Sequence, residues 1–252
     1  MKAVLMAAAA ACALVACGGG GGDEPLPVPP APPQVQALDV WKDLISSDRT
    51  FVTRGTGSDG AAFEVSTSIR PRGVAQMGQG RTFSSGPLVS YTAVEVTNAV
   101  RRNNAAYSTS SQLLYIAPAD FSLAAMIDPD GTTSGPSCIF PESAVQTPPV
   151  PQVAALNAVG PLFSGRSFVY AGASKLCYDG NGVLGAPTHK LTWSYEADNG
   201  RPLFCVNYTM QYTTQDVRDQ NMCFEVSGGA SIASGARVSL SSRSLRFAAK
   251  NY

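Results

Sequence analysis

Cysteine and histidine carry the most versatile side-chain chemistry in this chain, and both are scarce. There are six cysteines and one histidine in 252 residues. Cys138, Cys177, Cys205 and Cys223 lie in the body of the sequence, and Cys12 and Cys17 lie near its start. No two are spaced CxxC, so neither a zinc ribbon nor a thioredoxin-like dithiol is indicated. His189 is the one side chain that could act as a histidine base toward a serine or cysteine nucleophile. It sits beside Lys190 and just after Pro187, and no GxSxG or SxxK pattern frames any serine. No carboxylate pair stands out for glycoside hydrolysis. The sequence therefore assigns no catalytic residue, no metal ligand and no cofactor, and it reads as non-enzymatic.

Three glycine- or aspartate-rich stretches imitate ligand loops. Gly55, Gly57 and Gly60 match GxGxxG. A dinucleotide site also needs a following helix and an acid about 20 residues on. Here Ala61 to Ile69 alternates like a strand, and residues 77–83 hold no acid. A hairpin turn fits better. Asp128, Asp130 and Gly131, and likewise Asp179, Asn181 and Gly182, resemble calcium loops. An EF-hand closes on a glutamate at its twelfth position, and counting from Asp179 that position is Lys190. Both stretches read as turns.

The elements that must position these residues begin with the N-terminus. Lys2 supplies a positive start, and Ala3 to Ala16 runs uncharged. That run is short of the roughly 20 residues needed to span a bilayer, but it suits the apolar part of a secretory signal. It ends in Leu14-Val15-Ala16-Cys17. This tetrapeptide resembles the lipobox of bacterial lipoproteins. The resemblance implies cleavage before Cys17 and lipid on its sulfur and new amine. Two or more acyl chains give stable membrane anchoring, where one gives only a marginal hold. Gly18 stands where an aspartate would imply inner-membrane retention, so the resemblance implies an outer-membrane anchor. Gly18 to Gly22 is glycine, and Pro25 to Pro33 is proline-rich. Such chain is flexible and then extended. The organisation expected is a signal peptide over 1–16, a lipidated tether over 17–37 and a folded body from residue 38.

Composition limits what that body does. Net charge is zero and only 14% of residues are charged. No basic stripe suggests nucleic acid. The arginine pairs Arg70/Arg72 and Arg101/Arg102 read as solvated strand positions. Many short alternating segments divided by Gly and Pro predict an all-β fold.

The sequence also resembles itself. Arg49 to Gly55 matches Arg166 to Gly172, 117 positions further on, and Tyr91, Val100 and Tyr107 match Tyr208, Val217 and Phe224 at the same offset. The expected fold is two tandem related antiparallel β units, residues 38–130 and 155–252, joined by a connector over 131–154. Each unit would hold about five strands, and together they would form a barrel- or sandwich-like two-lobed body. Short helices are expected near Val40–Ile45 and Val153–Val159.

One hairpin can be placed in register. Asn199-Gly200 is a strong two-residue turn signal, because both positions accept positive φ. Partner numbers then sum to 399, which sets Tyr195 against Phe204, Trp193 against Val206 and Leu191 against Tyr208. With Tyr212 and Phe224 these rings read as core rather than pocket lining. If Cys205 opposes Cys223, partners of the next pair sum to 428, and Phe204 meets Phe224 on the same apolar face. Directly opposed residues in antiparallel strands lie within disulfide reach. Exported proteins with an even cysteine number are commonly bridged. Cys205–Cys223 is therefore favoured among the three possible pairings, which leaves Cys138–Cys177.

The function expected is an envelope binding or structural module. Its partners are a membrane, through Cys17, and an unidentified envelope protein or small molecule. A carrier of a hydrophobic small molecule in a β cavity is the alternative. An envelope hydrolase is the third reading, and it needs serine and acidic groups to converge on His189.

Overall fold

A computed structural model describes residues 33–78, 88–132, 135–141, 150–169, 183–213, 216–242 and 245–252. The compact unit that carries the fold begins at Pro32. The expected signal peptide, Cys17 and nearly all of the expected tether lie outside the described residues, as does Cys177.

The body is all-β with one helix, α1 (Ala37–Ser46). Among the described residues, twelve antiparallel strands close into one barrel. They follow the chain without crossovers. The first six are β2 (Arg49–Gly57), β3 (Ala62–Gly78), β4 (Leu88–Arg102), β5 (Ala105–Ile116), β6 (Leu123–Thr132) and β7 (Gly135–Pro141). The second six are β9 (Val159–Val169), β10 (Val183–Asp198), β11 (Arg201–Thr213), β12 (Asp216–Ser227), β13 (Ser231–Ser241) and β14 (Arg246–Lys250). β7 pairs with β9, and β14 returns to β2. Outside the barrel, β1 (Gln34–Val35) pairs with β8 (Ala154–Ala155).

Alternation places the residues. Phe51, Phe63, Val65, Ile69, Val94, Val96, Leu191, Trp193, Phe204, Val206 and Phe224 point inward and form one continuous core. Their neighbours in sequence include Thr50, Glu64, Ser66, Ser68, Thr192, Asn207 and Asn221, which face outward. The lumen is apolar and much of the wall is polar, apart from an outward apolar cluster of Ala93, Tyr115, Ala125, Cys138 and Phe140 on β4 to β7. A barrel leaves fewer strand edges to protect than an open sheet.

α1 fills one end of the lumen, here called the helix end. Its apolar residues recur at helical spacing: Ala37, Val40, Trp41, Leu44 and Ile45 are all buried. Asp39 in the first turn suits the positive end of the helix dipole. Trp41 Nε1 donates to Phe121 O at 2.9 Å, in the β5–β6 turn. Gln36 N donates to Gly229 O at 2.7 Å, in the β12–β13 turn.

The predicted register holds. Tyr195 opposes Phe204, Trp193 opposes Val206 and Leu191 opposes Tyr208. The turn between them has Asn199 at φ 51° and Gly200 at φ 79°. Phe204 opposes Phe224 and Cys205 opposes Cys223, which are joined as a disulfide. Gly57 to Ala61 makes the β2–β3 turn, with Gly60 at φ 78°. Gly55 is required for a different reason: a Cβ there would lie 1.8 Å from Ala248 O on β14.

Other expectations need correction. The connector over 131–154 supplies a barrel strand, β7, so each half has six strands rather than five. Residues 128–131 continue β6 instead of turning. No helix forms over 153–159, where β8 and a turn with Asn157 at φ 68° stand instead. The two units share a single barrel rather than forming two lobes. At the fixed offset, Arg49 and Arg166 lie on β2 and β9, Tyr91 and Tyr208 on β4 and β11, and Tyr107 and Phe224 on β5 and β12, whereas Val100 lies on β4 and Val217 on β12.

Candidate functional site

His189 is 3% exposed and points into the lumen from β10. It joins two hydroxyls on the flanking strands. Ser167 Oγ, on β9, meets its Nε2, and Tyr208 Oη, on β11, lies 2.7 Å from its Nδ1. The His189 and Tyr208 rings stack 5.9 Å apart. Burial lowers the histidine pKa from 6.5 to about 4. The ring is therefore neutral at pH 7, with one nitrogen donating and the other accepting. Ser–His–Tyr thus forms one directional hydrogen-bonded chain.

The pairing of serine with imidazole is the first half of a nucleophile–base arrangement. The second half is missing among the described residues. No carboxylate touches the ring, and Ser167 is 2% exposed. Ser167 and His189 are both buried within the barrel. The arrangement satisfies three polar groups inside an apolar lumen, which is what burial demands of them. Part of it was legible. With Leu191 set against Tyr208, His189 falls on the same face two residues away. Ser167 was not legible, because the β9–β10 register shifts between Leu184 and Thr188.

Among the described residues the lumen also encloses a small space. Between α1 and the walls, Trp41, Leu44, Ile69, Val94, Val206 and Phe224 surround a cavity of about 30 Å³. That is room for one water. Small-molecule pockets run to roughly 300–1,000 Å³. A second space of about 450 Å³ is an open groove on the outer wall across β12, β13, β14 and β2, lined by Thr56, Asp219, Asn221, Ser239 and Arg246.

The predicted disulfide residues fall on the outward face. Cys205 and Cys223 pack with Leu203 under the ring of Tyr252. The Tyr252 hydroxyl donates to Asp198 Oδ2 at 2.7 Å. Burial of the ring and this bond push the tyrosine pKa up to about 12, and the bond holds the Asp198 pKa low. Arg201 and Lys250 lie over the same ring at 5.2 and 5.3 Å. Arg237 reaches Glu196 at 2.8 Å beside the bridge. Glu196 and the two sulfurs are close enough together to suggest a metal site. The sulfurs are bonded to one another, so no thiolate is available as a ligand. Cys138 is also disulfide-bonded. It is fully buried on the outer face of β7, beside Ala93, Tyr115, Ala125 and Phe140.

A polar arrangement that sequence reasoning missed fastens α1. Asp43 accepts the amide of Ile232 at 2.7 Å, and Arg49 donates to the Ile232 carbonyl at 3.1 Å. Asp43 and Arg49 also pair with each other at 2.7 Å. No sequence signal marks these three residues as neighbours, because 183 positions separate Arg49 from Ile232.

Comparison of the chain with protein-family models, with curated proteins and with solved structures found no match.

Proposed function

We propose that this chain is a non-enzymatic envelope lipoprotein, a filled β-barrel carried on a lipidated tether as a binding or structural module. The observation that carries this reading is the polarity of the barrel. Its outward side chains include Thr50, Glu64, Ser66, Asn207, Asp219 and Ser239, so the wall belongs in water. No helix among the described residues is long and apolar enough to cross a membrane. Membrane attachment must then come from elsewhere, and Leu14-Val15-Ala16-Cys17 supplies it. The compact unit begins at Pro32, sixteen residues or so after Cys17. That length of chain reaches roughly 50 Å when extended. Gly18 favours the outer membrane. The filled lumen argues for a surface that binds or supports rather than a cavity that carries.

Two finer points belong to the same reading. Six strands in each half, with Arg49 and Arg166 both in the first strand of their half, support descent of the barrel from a duplicated unit. Cys138 pairs with Cys177, the body cysteine left once Cys205 and Cys223 have bonded.

The test is replacement of Cys17 by serine. The wild-type protein is expected in the membrane fraction and labelled by radioactive palmitate. The Cys17→Ser protein should lose the label and leave that fraction while keeping its far-ultraviolet circular dichroism. Equal retention and equal labelling of the two proteins would overturn the reading.

A further inference from the structure

The barrel is unzipped along part of one strand. β5 pairs with β4 over its length, from Arg102↔Ala105 to Thr92↔Ile116. On its other side it pairs with β6 only through Leu113, Leu114, Tyr115 and Ile116. Beyond Ile127, β6 leaves it and continues on β7 as far as Thr132. From Ala105 to Gln112 the second edge of β5 meets no strand among the described residues. Solvent reaches it there: Ala105 to Ser110 are all exposed, on both faces, and Tyr107 is 52% exposed.

A free strand edge presents N–H and C=O groups at every second residue, and it is completed by another extended backbone. Proteins commonly blunt such edges with charge or proline. Asn103 to Gln112 contains neither. A bulge at Tyr107, between Val100↔Ser108 and Arg101↔Ala106, ends the regular stretch. The usable edge is therefore Ser108 to Gln112.

We infer that this edge is an interface and that its occupant is the same edge of a second copy of the chain. Two-fold pairing of a strand with itself is antiparallel and isologous. It suits this segment because Ser108-Thr109-Ser110-Ser111-Gln112 brings no charge against itself. It opposes hydroxyl and amide side chains, which are favourable cross-strand neighbours. The tether of the same chain is a poor occupant, because Pro25 to Pro33 lacks the donors a ladder needs. Five residues a side bury far less than the ~800 Å² per partner of a stable complex. The association is therefore weak in dilute solution and strengthened where chains are held at high local concentration.

The test uses the full chain. Single-cysteine variants at positions 108 to 112 are mixed in pairs and oxidised briefly at high protein concentration. Crosslinking is expected only between positions whose numbers sum to one constant, as in an antiparallel register. Sedimentation should show the mass rising toward twofold with concentration for wild type but not for Ser110→Pro. Should that variant misfold, Thr109→Lys, which sets like charges in the interface, is expected to remain folded and monomeric. Monomeric mass at every concentration, crosslinks that obey no register, or self-association unaffected by Thr109→Lys would each overturn the inference. So would exclusive crosslinking of this edge to a different polypeptide.

Discussion

Asp43 on the helix and Ile232 on β13 share a hydrogen bond of 2.7 Å, and Arg49 takes the carbonyl of the same residue. One carboxylate and one guanidinium thus do for Ile232 what a neighbouring strand does elsewhere. The need is local. β14 is only five residues long, and its ladder to β13 runs from Ser241↔Arg246 to Arg237↔Lys250. Asn251 continues the repair, accepting the Ala236 amide at 2.6 Å and donating to Ser234 O at 3.1 Å. Asp43→Ala leaves the Ile232 amide without its acceptor and Arg49 without its carboxylate partner. The expected loss is about 2 kcal/mol, read as a fall in the urea midpoint at unchanged slope. Asp43→Asn keeps an acceptor oxygen and should recover part of the loss. An unchanged midpoint in Asp43→Ala would remove the helix latch from this account.

His189 predicts how stability depends on acid. Its folded pKa of about 4 lies below the ordinary 6.5 because burial disfavours the charged ring. Above pH 6.5 both folded and unfolded chains hold it neutral, and it adds no slope. As pH falls from about 6.5 to about 4 the unfolded chain takes up the proton first, so stability drops. A shift of this size corresponds to about 3 kcal/mol at 1.36 kcal/mol per unit. Asp59 and Asp198 are held low by hydrogen bonds and nearby cations, Asp59 chiefly by the Ala61 amide and Asp198 by the Tyr252 hydroxyl. Their contribution is lost only below about pH 3.8. Denaturation midpoints measured between pH 7 and pH 4 should therefore fall for wild type and stay nearly level for His189→Gln. Parallel curves for the two proteins would assign the acid sensitivity elsewhere.

Tyr252 makes the Cys205–Cys223 bridge a protected one. Neither sulfur-bearing residue is exposed, although both face away from the lumen, because the terminal ring lies over them. Thiol–disulfide exchange needs access to a sulfur. Tyr252→Ala should thus be reduced several-fold faster by dithiothreitol under native conditions, measured by alkylation and mass. The latch also has an alkaline limit. A folded pKa of about 12 against 10 unfolded means its contribution is present below pH 10 and lost as pH rises toward 12. Equal reduction rates for variant and wild type at pH 8 would show that the ring shields nothing.

The parts of this molecule that were legible from sequence are those set by local periodicity. The turn at Asn199-Gly200 set β10 against β11 with Trp193, Tyr195 and Phe204 on one inward face, and opposing Cys205 to Cys223 set β12 against β11. The helix expected near Val40–Ile45 is present, but it begins earlier, at Ala37, in chain read as tether. What escaped depends on contacts distant in sequence. β7 was hidden because Cys138-Ile139-Phe140 is a short apolar run in a stretch rich in proline. Residues 128–131 carry turn chemistry but lie within β6, in a register shift between the pairs Asp128↔Ser137 and Thr132↔Gly135. Ser167 meets His189 only because β9 is displaced against β10, and Arg49 meets Ile232 only because the barrel closes.

Trp41 decides whether this barrel is filled or hollow. Its indole is 2% exposed, donates to Phe121 O, and borders the residual cavity of about 30 Å³. Trp41→Ala removes the largest side chain of the plug and orphans that carbonyl. The expected cost is about 3–5 kcal/mol. The space vacated is on the order of 150 Å³, a volume that in other apolar cores stays dry and admits benzene-sized molecules. Wild type should bind no such probe. Folded Trp41→Ala should bind it and regain part of its lost thermal midpoint when the probe is added in excess. Binding of the probe by wild type with comparable affinity would mean that α1 moves aside unaided, and the barrel would then have to be read as a carrier after all.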